Sequence, residues 1–123
     1  MKQLLLVMLG GGIGSGLRFL IGKYLNPLWS GFYLGTFLVN ILGCLIIGLL
    51  LGISLKHQTT NPVQSALLAT GFCGGFTTFS TFGLEQFLLL REGSYLPLIT
   101  YTLASLLLGV AAVFAGFWLA RFA

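Results

Sequence analysis

The stretch Gly71–Phe82, GFCGGFTTFSTF, decides how this chain is read. It lies in the middle of a segment otherwise apolar enough to cross a membrane. Three glycines, four hydroxyl residues and four phenylalanines stand where lipid-exposed irregular backbone is not tolerated. Without water to bond the freed N–H and C=O groups, a broken helix at that depth survives only inside protein or along a wet cavity. Such breaks are favoured places for binding ions. The motif therefore predicts a third span that is interrupted mid-membrane around an ion site.

Outward from that motif, the composition fixes the class. The chain has 123 residues, 57% hydrophobic and 7% charged. A soluble domain carries roughly 25% charged residues, so this chain cannot cover a soluble surface. A single integral membrane domain is expected. The net charge is +4, but Lys2, Arg18, Lys23, Lys56, Arg91 and Arg121 are scattered. No basic cluster suggests nucleic acid as a partner, and basic residues at segment ends read as interface anchors. Cys44 and Cys73 fall inside apolar segments and read as small buried residues rather than a disulfide framework. Met1–Leu9 superficially resembles a signal peptide, but no small-residue cleavage site follows, so a retained first helix is expected.

A helix needs about 20 mostly apolar residues to span the bilayer. Four stretches qualify: residues 3–24, 32–55, 63–90 and 95–119. Asn26-Pro27, Lys56-His57 and Arg91-Glu92-Gly93 separate them, and Pro97 falls in a first turn, where proline is tolerated. Glycines recur at helix-packing distance: Gly10 with Gly14, Gly12 with Gly16, Gly31 with Gly35, Gly48 with Gly52, and Gly71 with Gly75. The run GGGIGSG matches GxGxxG at no register and follows no strand, which excludes a nucleotide fingerprint.

Four spans place Lys2, Lys56 and Arg121 on one side, and Lys23 and Arg91 on the other, with Arg18 nearer the second. Orientation normally follows an excess of Lys and Arg on the cytoplasmic face, and here the two sides nearly balance. Either the bias is merely weak, or the chain inserts both ways and assembles as an antiparallel dimer. The second reading is favoured because so small a bundle has difficulty enclosing a pore alone.

Polar groups inside the membrane need a partner or a task. Arg18 can snorkel to the interface, pair with Glu85, or attract an ion directly. Thr36, Asn40, Gly43 and Cys44 share one helical face, so Asn40 is either a helix–helix bond or a donor facing a pore. Tyr101, Ser105 and Gly109 form a polar groove, structural or conducting. Phe76, Phe79 and Phe82 repeat every three residues, with Ser80 and Thr81 between the last two. Such a stripe is ordinary core packing, or else its positive ring edges meet an anion without a fixed charge. The expected unwound backbone at Gly74–Thr78 exposes carbonyls suited to Na⁺. His57 stands alone in a loop, and neither paired carboxylates, a metal-ligand cluster nor a serine triad is visible. No enzyme is expected.

Three segments together, GGGIGSGLRF, GTFLVNILG and GFCGGFTTFSTF with Glu85, closely resemble the small bacterial fluoride channels of the Fluc/CrcB family, over essentially the whole length. The resemblance implies an all-α antiparallel dual-topology homodimer in the bacterial inner membrane, with two fluoride pathways that relieve fluoride toxicity by passive efflux. It implies a structural Na⁺ at the dimer centre on the backbone carbonyls of Gly74 and Thr77. It maps the paired aromatic boxes onto Phe79 and Phe82, the pore amide onto Asn40, and the hydroxyl track onto Tyr101 and Ser105. Ser80 and Thr81 lie between the box phenylalanines, and Arg18 and Glu85 match embedded charged positions. Gly109 departs from relatives that carry a further hydroxyl there. The competing expectation is a small dual-topology multidrug exporter, which needs an acid in its chamber; the first segment has none.

Overall fold

A computed structural model describes residues 1–58 and 61–123. Leucine- and isoleucine-rich runs fold into long helices, here numbered α1 to α5. Helix α1 is Lys2–Leu25, followed by a 3₁₀ turn at Asn26–Leu28. Helix α2 is Leu34–Lys56. The third span comprises α3, residues 62–76, and α4, Phe79–Arg91. Helix α5 is Tyr95–Leu119. Among the described residues four spans, counting α3 and α4 as one, are long and apolar enough to cross a membrane.

Local chemistry sets the ends. Asn61 accepts the Val63 N–H at 3.0 Å and Pro62 opens α3, the usual pairing of cap and first-turn proline. Gly31 and Gly93 adopt left-handed φ of 79° and 71°, turning the chain before α2 and before α5. Gly31 is thus outside the helix, so the second span begins at Leu34 rather than residue 32, and Gly31–Gly35 is not a helical packing pair.

The break is shorter than the sequence suggested. Gly74–Phe76 is helical, and only Thr77 and Thr78 are extended, with ψ of 160° and 123°. Upstream, Ser65–Cys73 winds as a π-helix. Two turns of i→i+5 winding leave no distinct period in a segment apolar all round, so nothing in the residue pattern announces it.

Two glycine seams hold the bundle together. On α1, Gly10 and Gly14 lie against the carbonyls of Leu67 and Phe72, where a Cβ has no room. On α2 and α5, Gly48 and Gly116 lie against the backbone of Val113 and Leu45 in the same way. Small residues drive such close approach in lipid, where apolar burial gives helices no preference for one another. A Cβ on Gly12 or Gly16 would meet nothing within 4 Å, so this pair seats no close-packed helix among the described residues. Leu4, Ile13, Leu106 and Phe114 are exposed, as lipid-facing residues are. At one end of the bundle, Lys56 Nζ donates to the carbonyl oxygens of Arg121 and Ala123, at 3.1 and 2.9 Å.

Candidate ion pathway at the helix break

Asn40 and Thr78 build the centre of the site. Asn40 Nδ2 donates to the Thr78 carbonyl at 3.2 Å, and the Thr78 N–H donates to Asn40 Oδ1 at 2.8 Å. The amide thus pairs with the broken backbone as a neighbouring strand would, which satisfies both the N–H and the C=O of Thr78. Its second N–H remains for the adjoining groove.

This pairing also frees carbonyls. In an unbroken helix Thr78 N–H would bond Gly74 O, and Thr81 N–H would bond Thr77 O. The first goes to Asn40 instead, and the second goes to Thr78 Oγ1 at 3.2 Å, where Thr78 caps α4. Gly74 and Thr77, the two carbonyls expected to face a cation, both lose their ordinary donors. Their two oxygens form a backbone-carbonyl donor set; among the described residues no three His, Cys, Asp or Glu side chains gather. That set suits a hard cation.

Between these two carbonyls in sequence, Gly75 O is differently occupied. It accepts Arg18 Nε at 3.0 Å and Ser15 Oγ at 3.3 Å. Arg18 therefore anchors the break to α1, and the pairing of Arg18 with Glu85 weighed from sequence does not occur. Glu85 is 4% exposed and holds a different set of partners. Thr36 Oγ1 donates to its Oε1 at 2.6 Å and Tyr101 Oη to its Oε2 at 2.7 Å. Asn26 Nδ2 reaches Glu85 Oε1 at 3.5 Å and Thr36 Oγ1 at 3.2 Å, while Asn26 Oδ1 accepts the Thr36 N–H at 3.1 Å. Thr36 thus belongs to this buried cluster rather than to the pathway face.

A groove of about 460 Å³ runs beside the break, between α2, α3, α4 and α5. Asn40, Gly74, Thr77, Phe79, Phe82 and Ser105 all line it. Ser105 Oγ is buried with no hydrogen-bond partner among the described residues. A buried orphan hydroxyl is costly, and a ligand or water in the groove would satisfy it. The Phe79 and Phe82 rings lie 6.1 Å apart between centroids, tilted by 39°. Phe79 is 83% exposed, so its ring projects out of the helix bundle.

Three expected pathway residues do not line this groove. Tyr101 is fully buried; its ring meets Phe82 edge-on at 5.2 Å while its hydroxyl serves Glu85. Thr81 Oγ1 accepts from Thr78 Oγ1 at 3.1 Å, and Ser80 is exposed, 3.4 Å from the same Thr78 oxygen. Gly109 faces Cys44, whose sulfur lies 3.7 Å from where a Cβ would stand. Sequence reasoning missed Asn26, Ser15 and Thr78. In the sequence Asn26, beside Pro27, carries only the signal of a helix breaker. Ser15 precedes Arg18 by one turn, a spacing that could have flagged a shared acceptor.

The spans, the break and the groove define a small multi-pass membrane protein with a polar groove beside a discontinuous helix. The model of the family described as CrcB-like protein, Camphor Resistance (CrcB), matches residues 5–117, and the chain belongs to that family. It is 46% identical over 123 residues to the fluoride-specific ion channel FluC of Azobacteroides pseudotrichonymphae, covering 99% of this chain and 98% of the relative. It is 50% identical over 113 residues to fluoride-specific ion channel FluC 2 of Rhodococcus jostii, covering 92% and 94%. The FluC of Gloeothece citriformis is 48% identical over 122 residues, covering 98% of each chain. With relatives named as ion channels, the chain is not an enzyme.

Proposed function

We propose that the chain is a passive fluoride-selective channel that lets fluoride leave a bacterial cytoplasm through the inner membrane. The observation that carries this is the groove in which Asn40, Phe79, Phe82 and the orphan Ser105 hydroxyl converge beside the break. Fluoride holds its water tightly, so a selective pore must replace those hydrogen bonds. The free Asn40 N–H and the Ser105 hydroxyl are donors, and ring edges add weak positive potential. None is a fixed charge, so the ion is recognised without being held too tightly to leave. An inside-negative potential drives efflux with about 2.3 kcal/mol per charge per 100 mV.

The working unit is an antiparallel dual-topology homodimer. The nearly balanced basic residues support it, as does Phe79, whose ring leaves the protomer at membrane depth. A second copy would complete the walls around these rings. Gly74 and Thr77 would hold the structural Na⁺ with their released carbonyls; bound there, it would neutralise the partial negative charge gathered at the break.

The exporter reading loses its acid. Glu85 is buried among Thr36, Tyr101 and Asn26 and does not line the groove.

Purified protein in liposomes should pass fluoride down its gradient far faster than chloride. Efflux no faster than from empty vesicles would sink this reading.

A further inference from the structure

Two groups in the groove have no part in fluoride passage as described above. Cys44 and Cys73 are both free thiols, and both line the same cavity.

Their place in the groove follows from the contacts of its two walls. Helix α2 runs away from the break after Asn40, while α3 runs toward it from residue 62. Asn40 bonds Thr78, and a Cβ on Gly43 would strike the Thr77 methyl group. Further from the break, Ile47 and Ala69 both border this cavity and the next one, of about 750 Å³. The contacts of Asn40 with Thr78 and of Gly43 with Thr77 mark the break end of the groove, and Ile47 and Ala69 mark its far end. Between these ends, the groove is lined by Cys44 on α2 and by Cys73 with Gly74 on α3. The two thiols enter one groove from two different helices.

The surroundings favour the sulfurs. Gly109 contributes no side chain over Cys44, which leaves its sulfur the space a larger residue would take. The Cys73 carbonyl accepts both the N–H and the hydroxyl of Thr77, at 3.0 and 2.8 Å, which fixes the Cys73 backbone against the break.

We propose that Cys44 and Cys73 form a two-thiolate site for a soft d¹⁰ cation of the silver(I) or copper(I) class, and that an ion bound there plugs the groove. Soft thiolates select such ions, whereas the neighbouring carbonyls of Gly74 and Thr77 suit a hard one. Binding makes two metal–sulfur bonds and releases one proton from each thiol to water. No electron is transferred. The plugging rests on the channel reading above; the binding does not.

The test uses the full chain in chloride-free proteoliposomes, with silver nitrate as the probe. One equivalent of silver per chain should protect both thiols from a membrane-permeant maleimide. Protection of only one thiol per silver would show two independent sites and overturn the proposal. Silver should then slow fluoride efflux, and dithiothreitol should restore it. Cys44→Ser and Cys73→Ser should each raise the half-blocking silver concentration at least about tenfold. Block of either variant at the concentration that blocks the parent protein would also overturn it. If the parent protein passes no fluoride, the channel reading fails, and the thiol-protection count still decides the site.

Discussion

Tyr101 donates its hydroxyl to Glu85 Oε2 across 2.7 Å, with both residues buried. A hydroxyl from α5 thereby secures the acid of α4, while the edge of the tyrosine ring contact supports Phe82. Removing the hydroxyl leaves a buried carboxylate oxygen without its donor, a loss of about 1–3 kcal/mol. Tyr101→Phe should therefore lower thermal stability in detergent and loosen the position of Phe82, with reduced fluoride efflux. Unchanged melting and unchanged efflux together would show that the bond contributes nothing.

At the break, Asn40→Asp keeps an acceptor for the Thr78 N–H but removes the donor to the Thr78 carbonyl. It also removes the N–H left for the groove, and it introduces negative charge where an anion passes. Fluoride efflux should fall at least about tenfold, the equivalent of ~1.4 kcal/mol of barrier. Parent-like flux in correctly assembled Asn40→Asp would take the amide off the pathway.

The aromatic residues test separately. Phe79→Ile and Phe82→Ile preserve apolar bulk but remove ring edges. An aromatic contact is worth about 0.5–1.5 kcal/mol, so efflux should drop several-fold or more while the elution volume of the protein stays unchanged. Normal rates in both variants would assign the rings to packing alone.

A pair of alanine substitutions checks the α1–α3 seam. Gly14→Ala drives a methyl into the Phe72 carbonyl, an overpacking cost of about 1–3 kcal/mol. Gly12→Ala meets open space and should be neutral or slightly stabilising, since alanine is the better helix former. Equal melting temperatures for the two variants would contradict the packing described.

Sodium dependence addresses the released carbonyls. Exchange of Na⁺ for N-methylglucamine should lower thermal stability, and the loss should reverse when Na⁺ returns. A melting temperature indifferent to the cation would remove Gly74 and Thr77 as ligands.

The membrane class, the four spans and the interruption of the third are legible in the amino-acid sequence. Hydrophobic run length and a dense cluster of Gly, Ser and Thr are local properties, readable without knowing what lies opposite. It also picked out Asn40, Phe79, Phe82 and Ser105, because polar or patterned residues at membrane depth stand out against leucine. The tertiary structure alone decided which polar groups meet. Arg18 and Glu85 invited pairing as the opposite charges within the spans. Their depths and faces instead direct one to Gly75 and the other to Thr36 and Tyr101. The extent of the break was settled the same way: GGFTT reads as five weak helix formers, but the helix persists through Phe76 and yields only where Asn40 offers Thr78 a substitute for its lost peptide partner. A hydrogen bond in lipid goes to whichever partner the packed helices bring within reach, and that is a property of the fold, not of spacing along the chain.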